Sequence, residues 1–274
     1  MKTRDIKANL HTHTSFCDGN DAPEALVHAA IELGMETLGF SGHCYTPFDS
    51  DYTMSPEGTE QYCREILRLK EQYADQIDLL LGIEQDLCAP IAPQAFDFRI
   101  GSVHYVSANG EYLSVDHTFE ISENAVTTHF GGDWYRFTRA YFETVADRMD
   151  RFPCDIVGHF DLVSKFNEKF PRFDERSPRY LHPAMETLDA LLDKNIVFEI
   201  NTGAIARGYR RLPYPAPVFL HRISERRGRI TLSSDSHDRE NLLYGFSDAC
   251  KILRACGISS VWVMGKSGWR EVGI

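Results

Sequence analysis

His11 and His13 stand one residue apart in NLHTHTSFCDG, with Asp18 five residues beyond the second. On an extended segment alternate side chains point the same way, so H-x-H aims both imidazoles at one point. Two imidazoles with a carboxylate nearby are donors for a transition metal. Two exposed histidines on a sheet face give the same pattern, so the pair decides nothing alone. Further metal-ligand types close short apolar runs: His43 in SGHC, Glu84 in LGIEQD, His104 in GSVHY, His159 in VGHFD, and Asp235 and His237 in SSDSH. The set comprises six of the eleven histidines and three carboxylates. Nine ligands exceed what one or two ions usually take from a protein. With Glu84 as a bridge, they divide among three. Imidazole combined with carboxylate suits Zn, Fe or Mn rather than Ca or Mg. Three divalent ions would outweigh three carboxylates by about three charges, so the site would favour an anion such as phosphate.

The other five histidines read differently. His28 and His221 fall within amphipathic segments, His182 sits beside Pro183 near a helix start, and His117 and His129 lie in a polar stretch. Structural or surface roles account for His28, His129, His182 and His221. His117 follows Asp116 and could approach the site. No Ser-His-Asp or Cys-His pattern supplies a protein nucleophile. Arg207 in NTGAIARGYRR and Lys165 in GHFDLVSKF are cations that could hold phosphate oxygens, Arg as a fork and Lys as a point charge. Arg211 follows them, and a solvated surface charge is the alternative for each. Asp116, Glu120, Asp161, Tyr45, Phe48 and Tyr105 lie near loop tips that could meet the remainder of a substrate.

Elements able to gather these residues are visible in the apolar pattern. Strands are expected at 6–10, 36–41, 77–84, 98–106, 154–160, 196–202 and 229–236, and a run at 260–265 closes or flanks the sheet. Between them APEALVHAAIELG, SPEGTEQYCREILRLKEQYAD, WYRFTRAYFETVADRMD, RYLHPAMETLDALLDK, APVFLHRISERRG and DRENLLYGFSDACKILRACG have helical spacing, several with Pro or Ser/Asp at the start and Gly past the end. Alternation of this kind builds βαβ units and a mainly parallel sheet. Seven or eight units in one domain point to a barrel, whose active face lies at the carboxyl ends of the strands. Stretches 107–133 and 205–217 are expected to be irregular, and long loops in compact domains are usually functional.

Composition narrows the setting. The chain has 274 residues, 43% of them hydrophobic, and a net charge of −11. The acidic balance argues against binding long nucleic acid or an anionic membrane. Seven scattered cysteines without a C-x-x-C pair suit reduced thiols and a cytoplasmic location. The N-terminal residues lack a signal-peptide core, and no run has the length of a membrane span. Oligomeric state is not encoded in any feature of the pattern.

The ordered set H-x-H, a following Asp, SGH, GxE, GSVH, GHFD and SDSH resembles the polymerase and histidinol phosphatase (PHP) superfamily. Within it the chain is similar to the bacterial histidinol-phosphate phosphatases, over about residues 7 to 237. The resemblance implies a distorted, TIM-like (β/α)7 barrel, taken as one domain over 1–274. It further implies a trinuclear centre. His11, His13, Glu84 and Asp235 would hold one ion; Glu84 would bridge to a second held by His104 and His159. Asp18, His43 and His237 would hold the third, and some members have His where Asp18 stands. The implied activity is phosphomonoester hydrolysis by a metal-bridging hydroxide, on L-histidinol phosphate in histidine biosynthesis. Asp235, His237 or a metal-bound water would protonate the leaving group. The rival readings are a phosphodiesterase or nucleotide hydrolase of the same superfamily, and a metal-binding regulatory module without turnover. The last is expected to have lost ligands, and all nine positions are filled.

Overall fold

The computed structural model describes residues 6–274. Seven strands form its main sheet: β1 (Ala8–Asn9), β2 (Thr37–Phe40), β3 (Asp78–Asp86), β4 (Phe98–Ser102), β7 (Ile156–Val157), β8 (Val197–Asn201) and β9 (Arg229–Ser233). They pair in that order, and every pairing is parallel. The ring closes just beyond β1 and β9, where Thr12 bridges Ser236 and His13 N–H donates to the Ser236 carbonyl at 2.8 Å. The result is the expected distorted (β/α)7 barrel, nearly closed and of TIM-like type.

Helices α1 (Pro23–Glu32), α2 (Pro56–Gln72), α4 (Trp134–Arg151), α5 (Pro178–Asp193), α7 (Pro217–Glu225) and α8 (Phe246–Ala255) connect the strands. Their starts follow from the local chemistry. Ser55 caps α2 through Gly58 N–H, Asp133 caps α4 through Tyr135 N–H, and Ser177 caps α5 through Arg179 N–H. Proline at the first position of α1, α2, α5 and α7 presets the helical φ without sacrificing a bond. The stretch expected as one helix from 238 begins instead with a 3-10 turn at Arg239–Asn241. It restarts after Gly245, whose φ of 72° breaks a regular helix.

Other expectations also need correction. The run 98–106 is two strands, because the chain leaves the barrel at Val103 and returns as an antiparallel hairpin, β5 (Tyr105–Ala108) and β6 (Glu111–Ser114). Asn109 and Gly110 both have positive φ, the geometry of a tight hairpin turn. The supposedly irregular stretch 107–133 therefore holds this hairpin and helix α3 (Phe119–Phe130), capped by Thr118 and stopped by Gly131. A short helix α6 (Gly203–Ala206) likewise stands at the start of 205–217. The run at 260–265 lies outside the barrel sheet. It forms β10 (Ser260–Gly265), paired antiparallel with β11 (Gly268–Gly273). Met264 and Trp269 of that hairpin pack on Leu10, Leu80, Phe98, Ile100, Ile156 and Val197, the apolar plug of the barrel interior. Gly82 on β3 lies beneath Phe98 so closely that a Cβ there would stand 2.2 Å from the ring.

Candidate metal centre

Eight of the nine ligand-type residues sit at or just past the carboxyl end of a strand, and Asp18 lies in the turn after His13. His11 and His13 follow β1, His43 follows β2, and Glu84 is near the end of β3. His104 and His159 lie two residues beyond β4 and β7, and Asp235 and His237 lie beyond β9. Asn9 holds the entry segment. Its side-chain amide donates to Ser234 Oγ at 2.9 Å and to the Leu242 carbonyl at 3.1 Å, while its oxygen accepts from His11 N–H at 3.1 Å. His11 and His13 thus face inward together, with ring centroids 5.2 Å apart.

Glu84, almost completely buried, is the hub. Its Oε2 lies 2.9 Å from His43 Nδ1, 3.3 Å from His11 Nε2 and 3.5 Å from His13 Nε2. Its Oε1 lies 3.0 Å from His159 Nε2 and 3.5 Å from His104 Nε2, and accepts from Ser102 Oγ at 2.6 Å. Asp235 Oδ1 is 3.3 Å from His13 Nε2 and 3.6 Å from His11 Nε2. Asp18 reaches His237 Nε2 at 3.2 Å and both His13 Nδ1 and His43 Nε2 at 3.6 Å. Three groups of donors are close enough to share an ion: His11–His13–Glu84, His43–Glu84–His104, and His13–Asp18–His43–His237. Seven of the nine residues fall in these groups, the second taking His43 where the resemblance implied His159 and the third adding His13. Asp235 stands outside them but touches His13 and His11, and His159 touches Glu84.

The electrostatics are those of donors crowded out of water. Burial opposes charge on Glu84, but the His11, His43 and His104 rings outweigh it and hold the carboxyl well below the usual carboxylate range. Burial likewise opposes charge on Asp235, and Arg207 and His11 overcome it. Burial pushes His13 down to about 3, with His237 and His43 adding to the shift. His104 is held up at about 9 against burial, mainly by Asp86 and Glu84. The buried atoms His11 Nε2, His13 Nε2 and Glu84 Oε2 have no hydrogen-bond partner. Buried polar atoms are normally satisfied, and these three converge with the donor chemistry of a cation site.

The cluster forms one wall of a cleft of about 320 Å³. Arg207, Lys165, Asp116, His117 and Tyr105 line it, as the sequence suggested, together with Tyr52, Ser114, Tyr209 and Tyr214, which sequence reasoning had not picked out. Arg207 donates to the Asp235 carbonyl at 2.8 Å and to its Oδ2 at 2.9 Å. Asp235 has a φ of 47°, in the left-handed region. Lys165 Nζ is tied to Asp116, 2.7 Å from the carbonyl and 3.1 Å from Oδ2. Arg211 is 91% exposed and pairs with Glu168 outside the cleft. Asp161 is buried, accepting from Ala216 N–H at 3.2 Å, and Glu120 is exposed on α3. His28 bonds Tyr73 Oη at 2.7 Å and His129 lies 3.6 Å from Glu111, structural roles as expected.

Two supporting carboxylates were also missed. Asp86 accepts from His104 Nδ1 at 3.0 Å, and Glu199 accepts from His11 Nδ1 at 2.9 Å. Their sequence signal is faint: an acidic residue inside an otherwise apolar strand, LLLGIEQD or IVFEIN.

With the fold and the cluster in place, the chain can be compared with known proteins. The PHP domain family model matches residues 9–203, and the chain belongs to that family. It is 27% identical to a protein of Schizosaccharomyces pombe named "Probable histidinol-phosphatase", over 93% of this chain and 89% of that one. A Deinococcus radiodurans protein of the same name is 29% identical, over 90% and 92% respectively. Among solved structures, histidinol phosphate phosphatase from Lactococcus lactis, complexed with zinc, L-histidinol and phosphate, shares the fold. Its TM-score is 0.74 at 22% identity, covering 97% of this chain and 99% of that one.

Proposed function

We propose that this chain, as a single catalytic unit over 1–274, is a metal-dependent phosphomonoesterase that hydrolyses L-histidinol phosphate in the cytoplasm. The observation that carries the reading is the clustering of nine ligand-type side chains with Glu84 at the hub, with three buried donor atoms left unpartnered, in a cleft shared with Arg207 and Lys165. The names of the full-length relatives support the substrate.

His11, His13, Glu84 and Asp235 would hold one divalent ion, His104 and His159 with Glu84 a second, and Asp18, His43 and His237 a third. Zn, Fe and Mn all suit these donors. Such ions, when bound, supply a water deprotonated near neutral pH and positive charge for the phosphoryl oxygens. The protein's own groups do the rest. Arg207, anchored on Asp235, presents its guanidinium at the cleft wall, where a fork can hold a phosphate oxygen pair. Lys165 adds positive charge beyond it, with its Nζ 3.1 Å from Asp116 Oδ2. Asp235 or His237, whose Oδ1 and Nδ1 lie 3.7 Å apart, would return a proton to the leaving alkoxide. Phosphoryl transfer needs mainly such positioning and charge neutralisation.

A substrate panel on metal-analysed protein tests this: L-histidinol phosphate, an aryl phosphate, a phosphodiester and nucleoside monophosphates. The expected result is the highest kcat/KM for L-histidinol phosphate, with activity lost on chelation. Preference for the phosphodiester would overturn the substrate, and no turnover with metals bound would make the chain a regulatory module.

A further inference from the structure

β8 is the barrel strand with no metal-ligand type at its carboxyl tip, yet it carries a buried carboxylate facing the cluster from behind. Glu199 is 1% exposed. Its Oε2 accepts from His11 Nδ1 at 2.9 Å and from Ser233 Oγ at 2.6 Å. Its Oε1 accepts from the His159 backbone N–H at 2.7 Å and from Asn201 Nδ2 at 2.8 Å. Four donors fill the four lone-pair positions of the ionised carboxylate. They come from the ends of β1, β7, β8 and β9, so this one group joins four strand ends beneath the cluster.

We propose that Glu199 is a positioning residue that fixes the tautomer and ring orientation of His11, and thereby the metal affinity of the site His11 serves. With Nδ1–H committed to Glu199, the lone pair of His11 lies on Nε2, the atom aimed at Glu84 and Asp235. A histidine held the other way round would present N–H to the ion and repel it. Through His159 N–H the same carboxylate sets where the chain turns after β7, so two ligand-bearing segments are indexed to a single group. The inference rests on the metal reading above. Its test measures metal affinity and tautomer rather than turnover, so the substrate proposal can fail while this one stands.

Glu199→Gln nearly preserves shape but leaves two acceptor positions and places an amide NH2 against two donors. If that NH2 faces His11, the imidazole must turn its lone pair to Nδ1 and carry its proton on Nε2. Zinc competition against a chromophoric chelator is expected to show one site weakened about 10–100-fold. Ser233→Ala removes a neutral donor from the same oxygen and is expected to leave every site within about threefold of wild type. Unchanged affinity in Glu199→Gln would overturn the proposal. Equal loss in Ser233→Ala would do so too, since general loosening would then explain both. Should Glu199→Gln not fold, the wild-type protein still decides. A long-range 1H–15N correlation spectrum of the zinc-loaded form should place the His11 proton on Nδ1, and a proton on Nε2 would refute the assignment.

Discussion

Replacing Glu84 by glutamine probes the hub of the site directly. The carboxylate puts one oxygen among His11, His13 and His43 and the other between His104 and His159. An amide keeps one acceptor oxygen and turns N–H groups toward donors that need a lone pair or a cation between them. As the proposed bridge, Glu84 serves two ions. A tenfold loss of affinity at each corresponds to about 1.4 kcal/mol per ion, or about 3 kcal/mol together, under conditions where metal is well above both Kd values. For a chain of this size, about 2 °C of melting temperature accompanies each kcal/mol, giving a shift of about 6 °C. The assay is thermal melting of wild type and Glu84→Gln, each with excess zinc and after chelation, with metal content by elemental analysis. Only the zinc-induced rise in melting temperature is compared, so any change in the metal-free fold cancels. The expected result is a rise about 6 °C smaller in the variant and, once free zinc has been removed, a loss of up to two ions per chain. A variant with the full wild-type rise and full metal content would refute the bridging role.

Arg207→Lys retains a charge but loses the fork, and should lower kcat/KM for a phosphomonoester about 10–100-fold; unchanged kcat/KM would remove Arg207 from substrate binding. Burial pushes Asp161 up to about 7, with Arg210 only partly opposing. A carboxyl whose pKa is higher folded than unfolded costs stability as pH rises from about 4 toward 7. Asp161→Asn should therefore gain more stability over wild type at pH 8 than at pH 5 in thermal melts, and a pH-independent difference would contradict that. Gly82→Ala would place a Cβ 2.2 Å from the Phe98 ring, so denaturant unfolding should show a loss of about 1–3 kcal/mol. Wild-type stability there would mean the plug of the barrel repacks freely.

Much of this molecule was legible in one dimension because its signals are local. Strand–helix alternation, caps such as Ser55 and Ser177, and ligand types closing apolar runs all lie within a few residues of one another. Parallel topology then carries those run ends to one rim, which is why nine scattered residues could be grouped before any coordinates. What a strand does after its last barrel pairing is not local. The 98–106 run leaves the barrel where His104 is drawn toward Asp86 and Glu84, whose distance along the chain conceals the contact. The 107–133 stretch folds into hairpin and helix through glycine turns and burial against α4, and its polarity hid both.

Residue type and order therefore determined the barrel class, the set of ligand-type side chains at the strand ends and the two cations near the rim. Tertiary structure alone decided how the donors group, with His13 between two clusters and His43 touching Glu84 directly. It alone also revealed Asp86 and Glu199. A carboxylate accepting an imidazole proton has no sequence period, because its partner comes from another strand. The pairing exists only once barrel closure has brought β1 beside β9, with β8 next to β9 in the sheet.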